Sequence, residues 1–215
     1  FAGKGWTLFV LWTNGRSWGV CLLLPLYNGV LIAMPLSVAR IYFPVKTLGP
    51  GQRVGIWTAG CNRNCIGCIS PELQSVKAGQ MLSSREIIEI INRIGCIPNG
   101  FTISGGEPFL QIEALRDLVE ELVLIVDDVL IYTGYTLNEL VERHDVRIDR
   151  VISLCSAIVD GPYVNEMNDG IGIRGSSNQT LHVFKHHERY CGLDTCKREV
   201  QNILYGNKLL TIGIP

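Results

Sequence analysis

No sign of charge dominates this chain: nineteen Lys and Arg residues stand against twenty Asp and Glu, a formal net charge of −1. A nucleic-acid-binding protein carries a basic excess or stripe, so that class of function is set aside. Long apolar runs are missing too. No charge falls between Ser17 and Ala39, but Gly19, Pro25, Asn28, Gly29 and Pro35 interrupt the stretch. Its cleaner pieces are about ten residues each, short of the ~20 that a membrane-spanning helix needs. The start shows neither the basic region nor the small-residue cleavage site of a signal peptide. Histidine is rare, with four residues in the chain, and none lies beside the one dense group of cysteines.

What is present is a globular composition. The 215 residues are 47% hydrophobic and 18% charged, enough for one substantial domain with its own core. Residues 1–33 differ from the rest, holding Trp6, Trp12 and Trp18. They are expected to form an atypical apolar extension without chemistry. Three origins stay open for it: a non-native or mis-started stretch ahead of Met34, an extra packed segment, and a membrane or interfacial anchor. Residues 34–184 are expected to be the functional domain, and 185–215 a C-terminal extension of no readable role. The eight cysteines are unevenly spread: Cys61, Cys65 and Cys68 cluster, Cys191 and Cys196 form a looser pair, and Cys21, Cys96 and Cys155 stand alone. This is the pattern of metal binding in a reducing cytosol and not of a secreted disulfide framework.

From residue 40 onward strand and helix signals alternate. "RVGIWT" (53–58) reads as a strand that ends at the cysteine loop. "LSSREIIEIINRIG" (82–95) reads as a helix, with Ser83 and Glu86 at capping-box spacing, one face of Ile87, Ile90, Ile91 and Ile94, and Gly95 as its stop. "GFTIS" (100–104) is a second strand, and "LQIEALRDLVEEL" (110–122) a second amphipathic helix. A third strand is expected in the second half of 124–134, a capped helix at 136–143 with Thr136 and Glu139, and a fourth strand over 149–161. Such alternation predicts an α/β fold of parallel βα units, whose functional loops sit at the carboxyl ends of the strands. The cysteine loop and the Gly105-Gly106 loop would share that rim.

Three thiols on one loop raise the question of a fourth. A structural zinc site closes with four ligands, and Cys61, Cys65 and Cys68 supply three at uneven spacing. They could hold three corners of a 4Fe-4S cluster and leave one iron open, with Gly60 and Gly67 letting the backbone wrap a bulky group. Zinc with a distant fourth ligand, such as Cys96 or Cys191, is the other reading. The second motif, "TISGGEPFLQ" (102–111), places two glycines and Glu107 at a strand's mouth. The glycines would let a ligand approach the main chain, and Glu107 could accept hydrogen bonds from an ammonium group. Alternatively, Pro108 simply starts the next helix.

Cys-x3-Cys-x2-Cys after the first strand, followed by "SGGEP" after the second, resembles the radical S-adenosylmethionine superfamily. Within it the chain is similar to the activating proteins of anaerobic ribonucleoside-triphosphate reductase. "LGPGQRVGIWTAGC", "IYTGYTLNEL" (131–140), "VDGPYV" (159–164) and "RGSSNQT" (174–180) carry the narrower likeness, which runs from about residue 38 to about 184. The resemblance implies an open, partial βα barrel of the radical-SAM type, since about 150 residues hold too few units to close. It implies that Cys61, Cys65 and Cys68 bind a 4Fe-4S cluster whose open iron is chelated by S-adenosyl-L-methionine. Gly105, Gly106 and Glu107 would meet the methionine end of that cofactor. Gly67, Cys68 and Ile69 would lie against the nucleoside, with Tyr132 and Thr133 as further wall. No side chain is given a catalytic role beyond the cluster and its cofactor.

The implied reaction is reductive cleavage of S-adenosylmethionine and formation of a glycyl radical on the catalytic subunit of anaerobic ribonucleoside-triphosphate reductase. An external one-electron donor such as flavodoxin would supply the electron, in an oxygen-poor cytoplasm. The alternatives are another glycyl-radical enzyme or a small molecule as target, and a non-catalytic zinc-binding module. Relatives carry an aromatic residue where Ile69 stands, which bears on adenine packing. Cys191 and Cys196 read as ordinary reduced thiols or a second metal site, and His186 and His187 as solvated surface. Asp127 and Asp128 read as a turn or an exposed strand edge. Asp160 reads equally as a cofactor or partner contact and as a turn former.

Overall fold

The computed structural model describes residues 26–27, 30–31, 34–205 and 208–215. The expected extension over residues 1–33, with Cys21, otherwise lies outside the described residues. Within it, Leu26–Tyr27 pairs antiparallel with Val30–Leu31. The larger unit is Met34–Pro215.

The strands of the larger unit follow from period-two patterning. β1 (Leu36–Val45) and β2 (Arg53–Thr58) pair antiparallel. β3 (Gln80–Leu82) adds to the outer side of β1. β4 (Gly100–Gly105), β5 (Val129–Tyr132) and β6 (Ala157–Asp160) continue from β2 in parallel. β7 (Thr180–Val183) closes the far edge antiparallel to β6. The seven strands lie in the order β3-β1-β2-β4-β5-β6-β7. The chain is thus α/β with a mostly parallel central sheet, as its alternation of signals predicts.

α1 (Ser84–Asn92), α2 (Ile112–Ile125), α3 (Leu137–Val141) and α4 (Val146–Leu154) connect the parallel strands. The expected capping boxes form: Ser83 with Glu86 before α1, and Thr136 with Glu139 before α3. Each satisfies two main-chain donors that a helix start leaves free. One expectation is corrected. The fourth strand begins at Ala157 and not at 149, because residues 146–154 form α4, which buries Ile148 and Val151 against the core. Apolar runs of this length fit strand and helix alike until packing decides.

Alternation sends side chains to two different cores. Val54, Ile56, Phe101, Ile103, Val129, Ile131 and Ile158 pack beneath the helices. Trp57 faces the opposite side with Val45, Leu48 and Leu73, as do Leu130, Ala157 and Val159. No helix of the parallel units covers that second side among the described residues. It carries the polar groups instead.

Arg53 is the largest fully buried side chain there. Its Nε donates to Thr102 Oγ1 at 2.7 Å, and its Nη2 to the Phe101 carbonyl at 2.6 Å and to Asp128 Oδ1 at 3.0 Å. The reading of Asp128 as an exposed edge is therefore corrected: it is buried against Arg53, and only Asp127 is exposed, beside Lys185. Removing one member of a buried pair strands the other charge. Asp128→Ala should lower the unfolding free energy by about 3–5 kcal/mol, measured by urea denaturation under anaerobic conditions.

Candidate functional site

Four loops leave the carboxyl ends of β2, β4, β5 and β6 on one rim. The cysteine loop follows Thr58, and β2 pairs with β4 so that Thr58 stands opposite Gly105. Here the two main chains nearly touch. A Cβ on Gly105 would run into the backbone of Thr58, and one on Gly106 into the Gly60 carbonyl. Gly106 N–H donates to Thr58 O at 2.8 Å, and Glu107 N–H to Gly60 O at 2.8 Å. The two glycines thus serve a backbone-to-backbone seam as well as lining the open side.

Glu107 is 1% exposed. Its Oε1 accepts from Phe109 N–H at 3.0 Å and from Thr133 Oγ1 at 2.8 Å, and its Oε2 from Gly134 N–H at 2.7 Å. Burial pushes its carboxyl above the ordinary glutamate range, while these hydrogen bonds pull the other way. The carboxylate thereby fastens the loop after β5 to the loop after β4. A carboxylate oxygen can accept two hydrogen bonds, and Oε2 holds one, so capacity for a ligand remains there. Thr133 holds its place through the same bond and through Tyr135 N–H, which donates to its Oγ1 at 3.1 Å.

A cleft of about 550 Å³ opens at this rim. Cys61, Cys65 and Cys68 line it together with Gly105, Gly106 and Glu107, and Ile69, Tyr132 and Thr133 form further wall. Gly67 does not line it. With φ of 72° it sits against Asn165, and a Cβ there would come within 2.8 Å of the Asn165 Oδ1. Asn62 and Tyr135 hydrogen-bond across the loops, and Arg63 lies 4.6 Å over the Tyr135 ring.

The donor set suits an iron–sulfur group. Burial raises the Cys61 thiol above its ordinary value. Arg63 N–H, 3.4 Å from its sulfur, opposes this, while the charges of Glu107, Cys65 and Cys68 add to it. Three cysteine sulfurs face one cleft, and thiolates are the form in which such side chains ligate a metal. Among the described residues, no three His, Cys, Asp or Glu side chains gather closely enough around one point for a single metal ion.

Other expected candidates fall elsewhere. Asp160 accepts from Leu137 N–H at 2.6 Å and Thr180 N–H at 3.3 Å and lies beside His182, so it shapes the loops. Cys96 and Cys191 are exposed, Cys155 is buried, and Cys196 lies against the Leu193 carbonyl. His187 is exposed on α5 (His187–Tyr190). Sequence reasoning missed Arg40, which lies 5.8 Å over the Trp57 ring on the cleft wall. It also missed Gln179, whose side chain donates to the Gly161 carbonyl and accepts from Gly175 N–H, both at 2.7 Å.

Fold and donor set agree with the comparisons. A family described as a 4Fe-4S single cluster domain matches residues 47–182. Together these define an iron–sulfur protein with a single cluster. The anaerobic ribonucleoside-triphosphate reductase-activating protein of Escherichia coli is 32% identical over 151 residues, 66% of this chain and 95% of the relative. Its counterpart in Vibrio cholerae is 29% identical over 152 residues, 66% of this chain and 96% of the relative. A 7-carboxy-7-deazaguanine synthase of Methanothermobacter thermautotrophicus is 33% identical over 99 residues, 42% of this chain and 38% of that protein. The chain belongs to the anaerobic ribonucleoside-triphosphate reductase-activating proteins of the radical S-adenosylmethionine superfamily. Among the described residues no helix is long and apolar enough to cross a membrane.

The seam between the glycines and the cysteine loop yields a test. Gly106→Ala forces a methyl against the Gly60 carbonyl, an overpacking cost of about 1–3 kcal/mol. The variant should incorporate less iron per chain than the parent on anaerobic reconstitution, whereas Leu124→Ala, at an exposed position of α2, should match the parent.

Proposed function

We propose that this chain is a radical S-adenosylmethionine activase that installs a glycyl radical on the catalytic subunit of anaerobic ribonucleoside-triphosphate reductase. The observation that carries this reading is the convergence of three thiols and the Gly105-Gly106-Glu107 loop on one cleft at the strand ends. Cys61, Cys65 and Cys68 would hold a 4Fe-4S cluster, beside which S-adenosylmethionine would bind. When bound, the cluster supplies the electron that splits S-adenosylmethionine and so yields the radical that takes hydrogen from a glycine of the partner.

The residues of this chain bind and orient. The main chain at Gly105 and Gly106, with the remaining acceptor capacity of Glu107, receives the amino-acid end of the cofactor. Ile69, Tyr132 and Thr133 wall the nucleoside end and keep water out. Four parallel strands with their helices on one side support the reading of an open, partial βα barrel. The open side leaves room for a protein target. An external one-electron donor of the flavodoxin kind completes the reaction, in an oxygen-poor cytoplasm. Residues 34–184 form the activase domain.

Anaerobic reconstitution tests this directly. The chain should take up about four irons and cleave S-adenosylmethionine on reduction. Mixed with the reductase subunit, it should give a glycyl-radical doublet by electron paramagnetic resonance. Cys65→Ser should lose the cluster and both activities. A colourless protein with one tight zinc and no cleavage would sink the proposal.

A further inference from the structure

The C-terminal stretch, read from sequence as an extension of no evident role, folds into a hairpin of β8 (Val200–Tyr205) and β9 (Lys208–Gly213). The family match ends at residue 182, so the hairpin lies outside the matched residues. Its root is firmly tied. Gln201 Nε2 donates to the Pro44 carbonyl at 2.9 Å, Thr47 Oγ1 donates to the Ile212 carbonyl at 3.2 Å, and Ile212 is buried with Trp57 and Leu48.

The two faces of the hairpin differ. Ile203 and Leu210 are register partners and pack on the core beside Trp57. Leu204 and Leu209, the adjacent pair, point the other way and are 80% and 62% exposed. Val200 extends the same outward face and is exposed as well. Every residue from Leu209 to Pro215 borders the cleft that holds the cysteines. A run of consecutive residues along a cavity means that a strand presents its edge there, since a face would contribute every second residue. Among the described residues β9 pairs only with β8. Alternate main-chain N–H and C=O groups of β9 therefore lack a ladder partner on the cleft side.

We propose that this hairpin is the arm that receives the protein target. An extended, glycine-bearing segment of the partner polypeptide adds as a strand to the free edge of β9 and is led along the cleft toward Cys61, Cys65 and Cys68. Main-chain pairing supplies affinity in such additions, and Leu204, with Leu209 at the cleft's border, gives the partner an apolar anchor. The proposal rests on the activase reading for the identity of the target. It deepens that reading by naming the surface and the conformation in which the target binds. A glycine suits the arrangement, because a segment without a side chain at the reacting position can lie close to the cleft wall.

Binding and amide exchange of the reconstituted full-length chain, measured with the reductase catalytic subunit, test the arm without turnover. Leu204→Asp should weaken binding at least about tenfold while iron content and partner-free cleavage of S-adenosylmethionine match the parent. On adding the subunit, exchange of the main-chain amides of β9 should slow. Unchanged affinity in Leu204→Asp, or protection that avoids β9, overturns the proposal. Protection of β9 that grows with the chain's own concentration also overturns it, since the edge would then pair two copies of this chain. Absence of S-adenosylmethionine cleavage in the parent sinks the activase reading alone, because binding and exchange are read independently of it.

Discussion

At the ends of β2 and β4 the two main chains approach so closely that neither Gly105 nor Gly106 has room for a Cβ. The approach is held by hydrogen bonds from Gly106 and Glu107 to the carbonyls of Thr58 and Gly60. It sets where the cysteine loop starts, and with it the position of Cys61. The Gly105-Gly106 loop delivers Glu107 into a buried place, where its carboxylate draws Thr133 and Gly134 inward from the end of β5. Three strand ends are thereby locked by one seam and one carboxylate. The cost of burying Glu107 is offset by the three donors that converge on it.

The asymmetry of the sheet explains why a cleft exists at all. Helices shield one face with a continuous apolar core, so stability does not require the other face to be filled. That face can carry Arg53 and Asp128, tied to Thr102 and the Phe101 carbonyl, and still leave open volume above the strand ends. The buried pair joins the start of β2 to the start of β5, at the end of the sheet away from the cysteines. Rigidity is concentrated at one end and access at the other. Gln179 and the C-terminal hairpin then border the opening from opposite sides of the sheet order.

The elements legible in the sequence were those whose determinants are local. Both capping boxes depend on residues three apart, and they formed as read. β2 and β4 are short apolar runs ended by turn residues. The fourth strand starts later than the sequence predicts because "VISLCSAIV" supports either period; Val151 packing beneath the sheet makes its first half helical. Asp128 was misread because its partner lies 75 residues away, and an Asp-Asp pair is ordinarily a surface feature. The hairpin has a local signal in a Gly-Asn pair at 206–207 between two strand-like runs.

By itself the sequence determined the chemistry available: three thiols at fixed spacing on one loop, a Gly-Gly-Glu turn after the next strand, and alternating βα units that bring both to one rim. These are short-range facts, encoded by spacing and by residues that only one backbone geometry accommodates. Tertiary structure decided the rest. It turned Glu107 into a clasp between loops, withdrew Gly67 from the cleft, buried Asp128, and laid β9 along the opening. Each of those outcomes depends on what a residue meets after the chain has returned from tens of residues away, and no local pattern carries that information.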